Sequence, residues 1–177
     1  MTPHHTPLFR VSVAQPDDRP VLENLWTMFQ HDMSAFSGAL PGADGRFRQD
    51  RLDLAFSDPG RVVSMLRLGE IPVGLVIVRG VHDNERVLGS FFLVHAARRR
   101  GFGLSALRSI TRAHPGRWAV AFQGENVAAA QFWRRVATDA AGENWSEERQ
   151  PVPGRADLPS DSWIRFCSHG DPTDLGL

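Results

Sequence analysis

Apolar and polar residues alternate with two different periodicities along this chain, and each change of periodicity marks a predicted element. Residues 9–14 (FRVSVA) alternate with a period of two, which predicts a strand. Residues 16–20 (PDDRP) combine proline with acidic side chains, which favour the first turn of a helix. The helix that follows has one apolar face, formed by Leu22, Leu25, Trp26, Phe29, Met33 and Phe36. We expect this face to be buried.

Predicted strands dominate the middle of the chain. A loop follows the first helix, and a shorter helix is predicted at 48–56, ending at Asp58-Pro59-Gly60. Three strands come next, separated by a Gly69-Glu70 turn and by a polar turn at 82–85. Their predicted ranges are 61–68, 71–81 and 87–94. The first two of these strands are expected to form a hairpin.

Helices and strands alternate in the last part of the chain. A helix is predicted at 101–114, a short buried strand at 118–122 and a further helix at 126–136. The inward face of the first of these helices is expected to carry Leu104, Leu107, Ile110 and Ala113. Two final strands are predicted at 143–150 and 161–168. The resulting order, βααβββαβαββ, predicts an α/β sandwich with a mixed sheet.

A single domain accounts for the length of the chain, because 177 residues is an ordinary domain size. A chain of this length buries enough surface to need neither disulfides nor a metal to hold its core. Both ends lack hydrophobic periodicity and are rich in Pro, Gly, Asp and His. The predicted organisation is a flexible N-terminus at 1–8, one domain at 9–168 and a flexible tail at 169–177.

The charges of the chain cancel, with 20 basic residues, all of them arginine, against 20 acidic residues. This balance argues against nucleic acid or an anionic membrane as the main partner. The N-terminus has no apolar core of a secretory signal, and no apolar run approaches the ~20 residues that span a bilayer. A cytoplasmic location is therefore predicted.

Cysteine and histidine usage argues against a metal centre. Cys167 is the only cysteine, which excludes an intramolecular disulfide and any multi-cysteine metal site. Its strand-like neighbours predict a buried structural thiol. No two histidines have the His-x-x-x-His spacing of a helical zinc site. No metal ligands are predicted.

The segment 91–105 (FFLVHAARRRGFGLS) carries the most chemical information. A buried strand ends, an arginine-rich loop follows, and two glycines begin a helix. The free amides of a first helical turn converge on one point, glycine allows close approach to a ligand, and arginine donates to phosphate. The segment therefore predicts a pyrophosphate cradle, and a solvated basic turn is the alternative.

Two common phosphate-binding loops fit this segment poorly. A P-loop needs lysine, and the chain has none. A dinucleotide fingerprint does match residues 101–106 (GFGLSA), with Glu125 as a candidate ribose-binding acid. However, six residues separate Val94 from Gly101, whereas the glycines of that fingerprint follow their strand directly. Only one βαβ unit is predicted, which also disfavours the dinucleotide interpretation.

A third loop fits better. Arg98-x-x-Gly101-x-Gly103 resembles the Arg/Gln-x-x-Gly-x-Gly/Ala loop with which the GNAT N-acyltransferase superfamily holds acetyl-CoA. Residues 126–133 (NVAAAQFW) resemble the Asn-x-x-Ala-x-x-Phe-Tyr segment of that superfamily, and the element order is similar over residues 9–168. Residues 29–36 (FQHDMSAF) look like those of a bacterial group of predicted acetyltransferases. The resemblance implies a three-layer α/β/α sandwich around a mixed, mostly antiparallel sheet.

The resemblance also implies a set of residues that contact acetyl-CoA. Main-chain groups of Phe91, Phe92 and Leu93 would contact the pantetheine arm and the thioester carbonyl. Asn126 would contact the cysteamine end, and Trp133 occupies the position of a tyrosine that often protonates the departing thiolate. The pyrophosphate would be held by Arg99, Arg100, Gly101, Phe102, Gly103 and Leu104, together with the Ser105 hydroxyl. The alternative roles are core packing for the apolar residues and helix capping for Asn126.

Catalytic groups are harder to assign than cofactor-binding groups. The indole of Trp133 cannot act as an acid, and the chain has no tyrosine to replace it. The strand positions where relatives often carry a glutamate hold Ser90, Ala119 and Ala121. We therefore expect His31 and Asp32, at the end of the first helix, to be the catalytic residues. The alternatives are an exposed helix-terminal histidine and a carboxylate that only binds a cationic acceptor, with His95 and Glu125 as weaker candidates.

Two functions follow from these expectations. The first is an acetyl-CoA-dependent N-acetyltransferase that moves the acetyl group directly to a primary amine of a small molecule or peptide. The second is a catalytically silent acyl-CoA-binding sensor or interaction module, which the missing acid and base favour. Neither function involves nucleic acid or a membrane, and both allow a homodimer.

Overall fold

The computed structural model of the chain describes residues 7–152 and 159–169. These residues form seven strands and four α-helices in the order that the sequence predicts. The strands are β1 (Phe9–Val13), β2 (Arg61–Leu68), β3 (Ile71–Arg79), β4 (Glu85–Leu93), β5 (Gly116–Gln123), β6 (Trp145–Gln150) and β7 (Asp161–Ser168). The helices are α1 (Arg19–Ser37), α2 (Asp50–Ser57), α3 (Phe102–Ala113) and α4 (Val127–Ala141). The two tails predicted to be flexible fall largely outside the described residues.

All seven strands belong to one sheet, in the order β1-β2-β3-β4-β5-β7-β6. Only β4 and β5 run parallel, and every other neighbouring pair is antiparallel. Helices α1 and α2 pack on one face of the sheet and helices α3 and α4 on the other. The predicted three-layer sandwich around a mixed, mostly antiparallel sheet is therefore confirmed.

Helix α1 buries its apolar stripe against β2, β3 and β4 only over its first three turns. Trp26 and Phe29 are buried there, and the Trp26 indole N–H donates to the Arg48 carbonyl oxygen at 2.9 Å. Met33 is only partly buried, and Phe36 is 44 % exposed. The expectation that Phe36 faces the core is wrong, because the last turn of the helix runs past the apolar cluster.

Two further residues predicted to be buried are exposed. Ala113, in the last turn of α3, lies outside the apolar cluster that buries Ala106, Leu107 and Ile110. Cys167 is also exposed, because residues 162, 164, 166 and 168 of β7 face the α3–α4 layer and the strand alternates. Cys167 therefore points to the opposite face of the sheet, and its buried structural role is not borne out.

On that opposite face, the apolar cluster of the described residues ends at β4. The apolar cluster under α1 and α2 includes residues of β2, β3 and β4 but none of β5 or β7. In the part of the chain that the structure describes, no helix packs over this side of β5 and β7. We call the surface formed by Ala121, Asp161, Trp163, Arg165 and Cys167 the open face.

Close packing of β3 against β4 gives a first testable prediction. A Cβ atom at Gly74 would lie 2.1 Å from the Phe92 carbonyl oxygen, whereas one at Gly89 would meet only the Ile77 carbonyl oxygen at 3.5 Å. We expect Gly74→Ala to lower the free energy of unfolding by roughly 1–3 kcal/mol, because the strands must separate. Gly89→Ala is the matched control and is expected to cost less in urea denaturation; equal costs would contradict this packing.

Candidate functional site

The parallel strands β4 and β5 stay paired over only four residues. Their register runs from Glu85 opposite Arg117 to Leu88 opposite Val120. Beyond this point β5 remains paired with β7, and β4 remains paired with β3 across a bulge at Gly89. A bulge bends its strand and increases the local twist. Beyond Leu88 and Val120 the two strands therefore separate, and an opening forms between them.

Main-chain groups of β4 line this opening. The Val94 N–H donates to the Val73 carbonyl oxygen at 2.8 Å, on the β3 side. Because the direction of main-chain groups alternates along a strand, those of Leu93 and Phe91 point away from β3 and into the opening. The main chain of Phe92 faces β3 instead, so only two of the three residues predicted to contact pantetheine through their main chain are oriented for it.

The loop after β4 leads directly to the N-terminus of α3. A short 3₁₀ turn at His95–Ala97 is followed by Arg99 with φ 59° and Gly101 with φ 81°, both in the left-handed region. Such a conformation is unusual for arginine. The first amides of α3 have no partner within the helix, since the Ser105 N–H is the first to reach back, donating to the Gly101 carbonyl oxygen at 3.0 Å.

The two glycines of this loop have different surroundings. A Cβ atom at Gly101 would meet nothing within 4 Å, so the space beside it is open. A Cβ atom at Gly103 would lie 3.1 Å from the Phe132 ring and 3.3 Å from the Phe91 ring. Gly103 therefore lets α3 pack closely on β4 and α4, while Gly101 leaves room for a ligand at the helix N-terminus.

Stacked side chains fix the start of α3. The Phe102 ring stacks on Phe9, with centroids 4.7 Å apart, and the Arg100 guanidinium lies 5.1 Å from the same Phe102 ring. Arg99 and Ser105 are exposed beside it. Every residue of the predicted pyrophosphate cradle thus lies at one end of one helix, and its N–H groups and positive end favour an anion.

Arg98, the first residue of the loop motif, contacts four different parts of the site. Its Nε donates to the Leu93 carbonyl oxygen at 2.7 Å, and its guanidinium lies 5.6 Å from the Phe92 ring centroid. The same guanidinium forms an ion pair with the Asp32 carboxylate of α1. His95 Nε2 lies 3.3 Å from Arg98 Nη1 and 3.7 Å from the Asp32 carboxylate. Helix α1 is thereby attached to the loop and to the end of β4.

The two predicted catalytic residues are placed differently by the structure. Asp32, on α1, faces the loop that follows β4, and its carboxylate is engaged by Arg98 of that loop. His31 is exposed, and its carbonyl oxygen accepts a hydrogen bond from the Ser34 hydroxyl at 2.7 Å. Sequence reasoning missed the Asp32–Arg98 pair, although it singled out both residues separately. Only the folded chain brings positions 66 residues apart into contact.

Asn126 and Trp133 hold α4 in place. The Asn126 side-chain oxygen accepts a hydrogen bond from the Ala129 N–H at 3.0 Å and so caps the helix. Trp133 is only 7 % exposed and packs edge-on against Phe91, with ring centroids 5.7 Å apart. The indole therefore contacts the side chain of the strand residue whose main chain lines the opening.

A metal centre and a membrane-spanning helix are two other kinds of feature to consider in the described residues. None of their His, Cys, Asp and Glu side chains form a group of three or more that is suited to a metal ion. None of their helices is long and apolar enough to cross a bilayer. The candidate site is the opening between β4 and β5, together with the N-terminus of α3, because main-chain groups and a helix N-terminus face it.

Solved structures of acetyltransferases share this architecture. No protein-family model and no curated protein matches the sequence. An acetyltransferase from Thermus thermophilus is similar with a TM-score of 0.67 and 19% identity, over 92% of this chain and 99% of that chain. A GNAT-family acetyltransferase from Staphylococcus aureus has a TM-score of 0.62 and 9% identity, over 90% and 99%. The PaiA N-acetyltransferase from Thermoplasma acidophilum, solved with coenzyme A, has a TM-score of 0.60 and 9% identity, over 90% and 99%.

These likenesses show that the chain has the fold of the GNAT acetyltransferases. They extend over nearly the whole length of each matched chain, so they concern the whole sandwich and not one shared motif. The sequence resemblance is confirmed at the level of the fold.

The Arg98–Asp32 pair gives a second testable prediction. Both side chains are about one-third exposed, at 35% and 30%, so solvent screens their attraction. We expect a coupling free energy of about 0.5–1 kcal/mol from a double-mutant cycle of Asp32→Asn and Arg98→Gln in urea denaturation. The more exposed Arg10–Glu70 pair is the matched control, and its cycle is expected to give less. A coupling free energy near zero for the Arg98–Asp32 pair, no larger than that of the control, would show that this ion pair does not hold α1 in place.

Proposed function

We propose that this protein is an acetyl-CoA-dependent N-acetyltransferase that transfers the acetyl group directly to a primary amine of a small molecule or peptide. The observation that carries this proposal is the parting of β4 and β5, with strand amides lining the opening and a helix N-terminus at its end. The likeness to acetyltransferases, one of them solved with coenzyme A, supports the same conclusion.

The opening suits a thioester and its pantetheine arm. An extended amide-containing chain pairs with main-chain groups in the way that a missing strand would, and Phe91 and Leu93 present such groups. Bound acetyl-CoA would supply an activated acyl group. An amide N–H aimed at the carbonyl oxygen of that group stabilises the charge that develops during attack, an effect worth several kcal/mol in comparable sites.

The cradle at α3 suits a pyrophosphate. The amides from Arg99 to Leu104 and the Ser105 hydroxyl are the proposed donors, and the Arg99 and Arg100 side chains add positive charge. The open space beside Gly101 agrees with an anion at this point. We assign Asn126 to the cysteamine end of the cofactor, where its remaining amide group would face the opening.

The leaving group needs no strong acid. A thiol with a pKa near 8.5 leaves as thiolate at neutral pH at a cost of about 2 kcal/mol, so the absence of tyrosine is tolerable. Trp133 then acts as an apolar wall beside Phe91. We place the amine acceptor on the side of the sheet that α1 covers, and we assign Asp32, whose carboxylate already accepts from Arg98, to orienting a cationic amine there. His31 is the exposed residue next to it on the acceptor side.

A catalytically silent acyl-CoA-binding module is the second candidate. Three positions favour it: Ser90, Ala119 and Trp133 replace groups that would take or give a proton. The two functions differ in turnover. The test is incubation of the purified chain with acetyl-CoA and a panel of primary amines, with mass spectrometry of the products. Acetylated product supports the enzyme, and tight acetyl-CoA binding without any product supports the silent module.

The cradle assignment gives a third testable prediction. Asp and Asn both tolerate the left-handed conformation of Gly101 and both cap helices well, so the two variants differ mainly in charge. We expect Gly101→Asp to weaken coenzyme A binding at least about tenfold more than Gly101→Asn, because the carboxylate would repel the pyrophosphate. Isothermal titration calorimetry measures both affinities. Equal affinities for the two variants would exclude a phosphate at this helix terminus.

A further inference from the structure

Acetyl transfer to an amine requires a group that takes a proton, and none lies on β4 or β5 beyond the point where the two strands separate. Ser90, Ala119 and Ala121 cannot accept one at neutral pH. An alkylamine with a pKa of about 10.4 is over 99.9% protonated there, and freeing its lone pair costs about 4.6 kcal/mol. A proton acceptor must therefore come from another element that borders the opening.

Strand β7 supplies a carboxylate on the acceptor side. Asp161 pairs with Gln123, and Trp163 pairs with Ala121. Alternation along β7 places Asp161 on the open face, because Ser162 and Ile164 face the buried α3–α4 layer. Asp161 is thus the diagonal neighbour of Ala121, at a Cα separation of roughly 7–8 Å for such pairs. The small side chain of Ala121 leaves space between them.

The height of Asp161 along the sheet is close to that of the strand amides. The register pairs Leu88 of β4 with Val120 of β5, and Gly89 is the extra residue of the bulge. Continuing past the bulge brings Phe91, whose main chain faces the opening, level with Phe122. Asp161 lies beside the next residue of β5, Gln123. By this count the Asp161 carboxylate lies about one residue further along the opening than the Phe91 amide.

Two other carboxylates of this side, those of Glu85 and Glu148, are engaged by Arg165. Glu85 lies 3.3 Å from Arg165 Nε, and Glu148 forms an ion pair with the same guanidinium. That guanidinium also lies 5.3 Å from the centroid of the Trp163 ring. The contact keeps the Arg165 guanidinium over the part of the open face formed by Trp163. Glu85 and Glu148 are therefore engaged at a distance from the parted ends of the strands, where Asp161 lies.

The charges around Asp161 suit a carboxylate that exchanges protons. Partial burial raises the pKa of the Asp161 carboxyl above its ordinary value; the Arg51 guanidinium of α2 lowers it, and the Glu125 carboxylate raises it. On β5 and β6 its paired residues, Gln123 and Gln150, are uncharged. A raised carboxyl pKa brings the proton affinity closer to that of the attacking nitrogen.

We propose that the Asp161 carboxylate binds the ammonium group of the acceptor and takes its proton during acetyl transfer. This inference rests on the proposed acetyltransferase function. One proton passes from the ammonium to Asp161, the freed nitrogen lone pair forms the C–N bond, and the C–S bond breaks. The second proton of the nitrogen goes to the departing thiolate, and Asp161 returns its proton to water. The favoured acceptor is therefore a cationic primary amine.

The test is the Asp161→Asn variant, which keeps the size of the side chain and removes its charge. Putrescine, phenethylamine and a tetrapeptide with a free amino terminus serve as probe amines. We expect kcat/KM to fall at least about 100-fold, the usual contribution of a general base, with coenzyme A affinity unchanged by calorimetry. Asp161→Glu is expected to recover part of the activity. Glu143→Gln, on an exposed turn at the other end of the sheet, is the control and is expected to match the unmodified chain.

The pH profile separates catalysis from a structural effect. In the unmodified chain kcat/KM should fall on acidification through the pKa of Asp161, because the protonated carboxyl cannot accept a proton. Glu125→Gln removes a neighbouring negative charge and should move that fall to lower pH. If kcat/KM of Asp161→Asn lies within twofold of that of the unmodified chain and falls at the same low pH, this inference is overturned and the proposed function stays intact. Coenzyme A binding without acetylation of any probe would overturn both.

Discussion

The short pairing of β4 with β5 is the constraint on which the rest of this structure depends. Parallel strands normally satisfy each other's main-chain groups along their full length, and unpaired groups inside a fold are costly. Here the bulge at Gly89 ends the pairing after Leu88, and β5 keeps its hydrogen bonds by pairing with β7. The unpaired edge of β4 then presents the main-chain groups of Phe91 and the Leu93 N–H to a ligand, while the Leu93 carbonyl oxygen accepts from Arg98.

Both walls of the opening are fixed by contacts outside it. On the loop side, Gly103 admits the rings of Phe91 and Phe132, which holds α3 against the end of β4. On the acceptor side, Arg98 connects α1 to the Leu93 carbonyl. One arginine therefore belongs to the cofactor loop and to the acceptor wall at the same time. A movement of α1 would shift the end of β4. We therefore expect binding at the cofactor loop and binding at the acceptor wall to affect each other.

The sequence was informative wherever the signal is local. Periodicity predicted the element order, and the loop from Arg98 to Gly103 predicted the cradle, because both depend on neighbours along the chain. Residues whose role depends on strand register or on the cover of a sheet face were not predictable. Phe36 has the right helical spacing yet lies beyond the apolar cluster, and Cys167 lies on the face of β7 that the helices of the described residues leave exposed. Asp161 gains its position only through the pairing of β7 with Gln123 of β5 and Gln150 of β6.

The exposed thiol of Cys167 gives this chain a natural attachment site for a fluorescent label. It is the only cysteine in the sequence, and it lies on the same strand and the same face as Asp161. Six residues of strand separate the two, roughly 20 Å at about 3.3 Å per residue. A maleimide dye attached there would label one position without any engineered mutation. Its fluorescence would follow the occupancy of the open face from a distance at which the label does not block the opening.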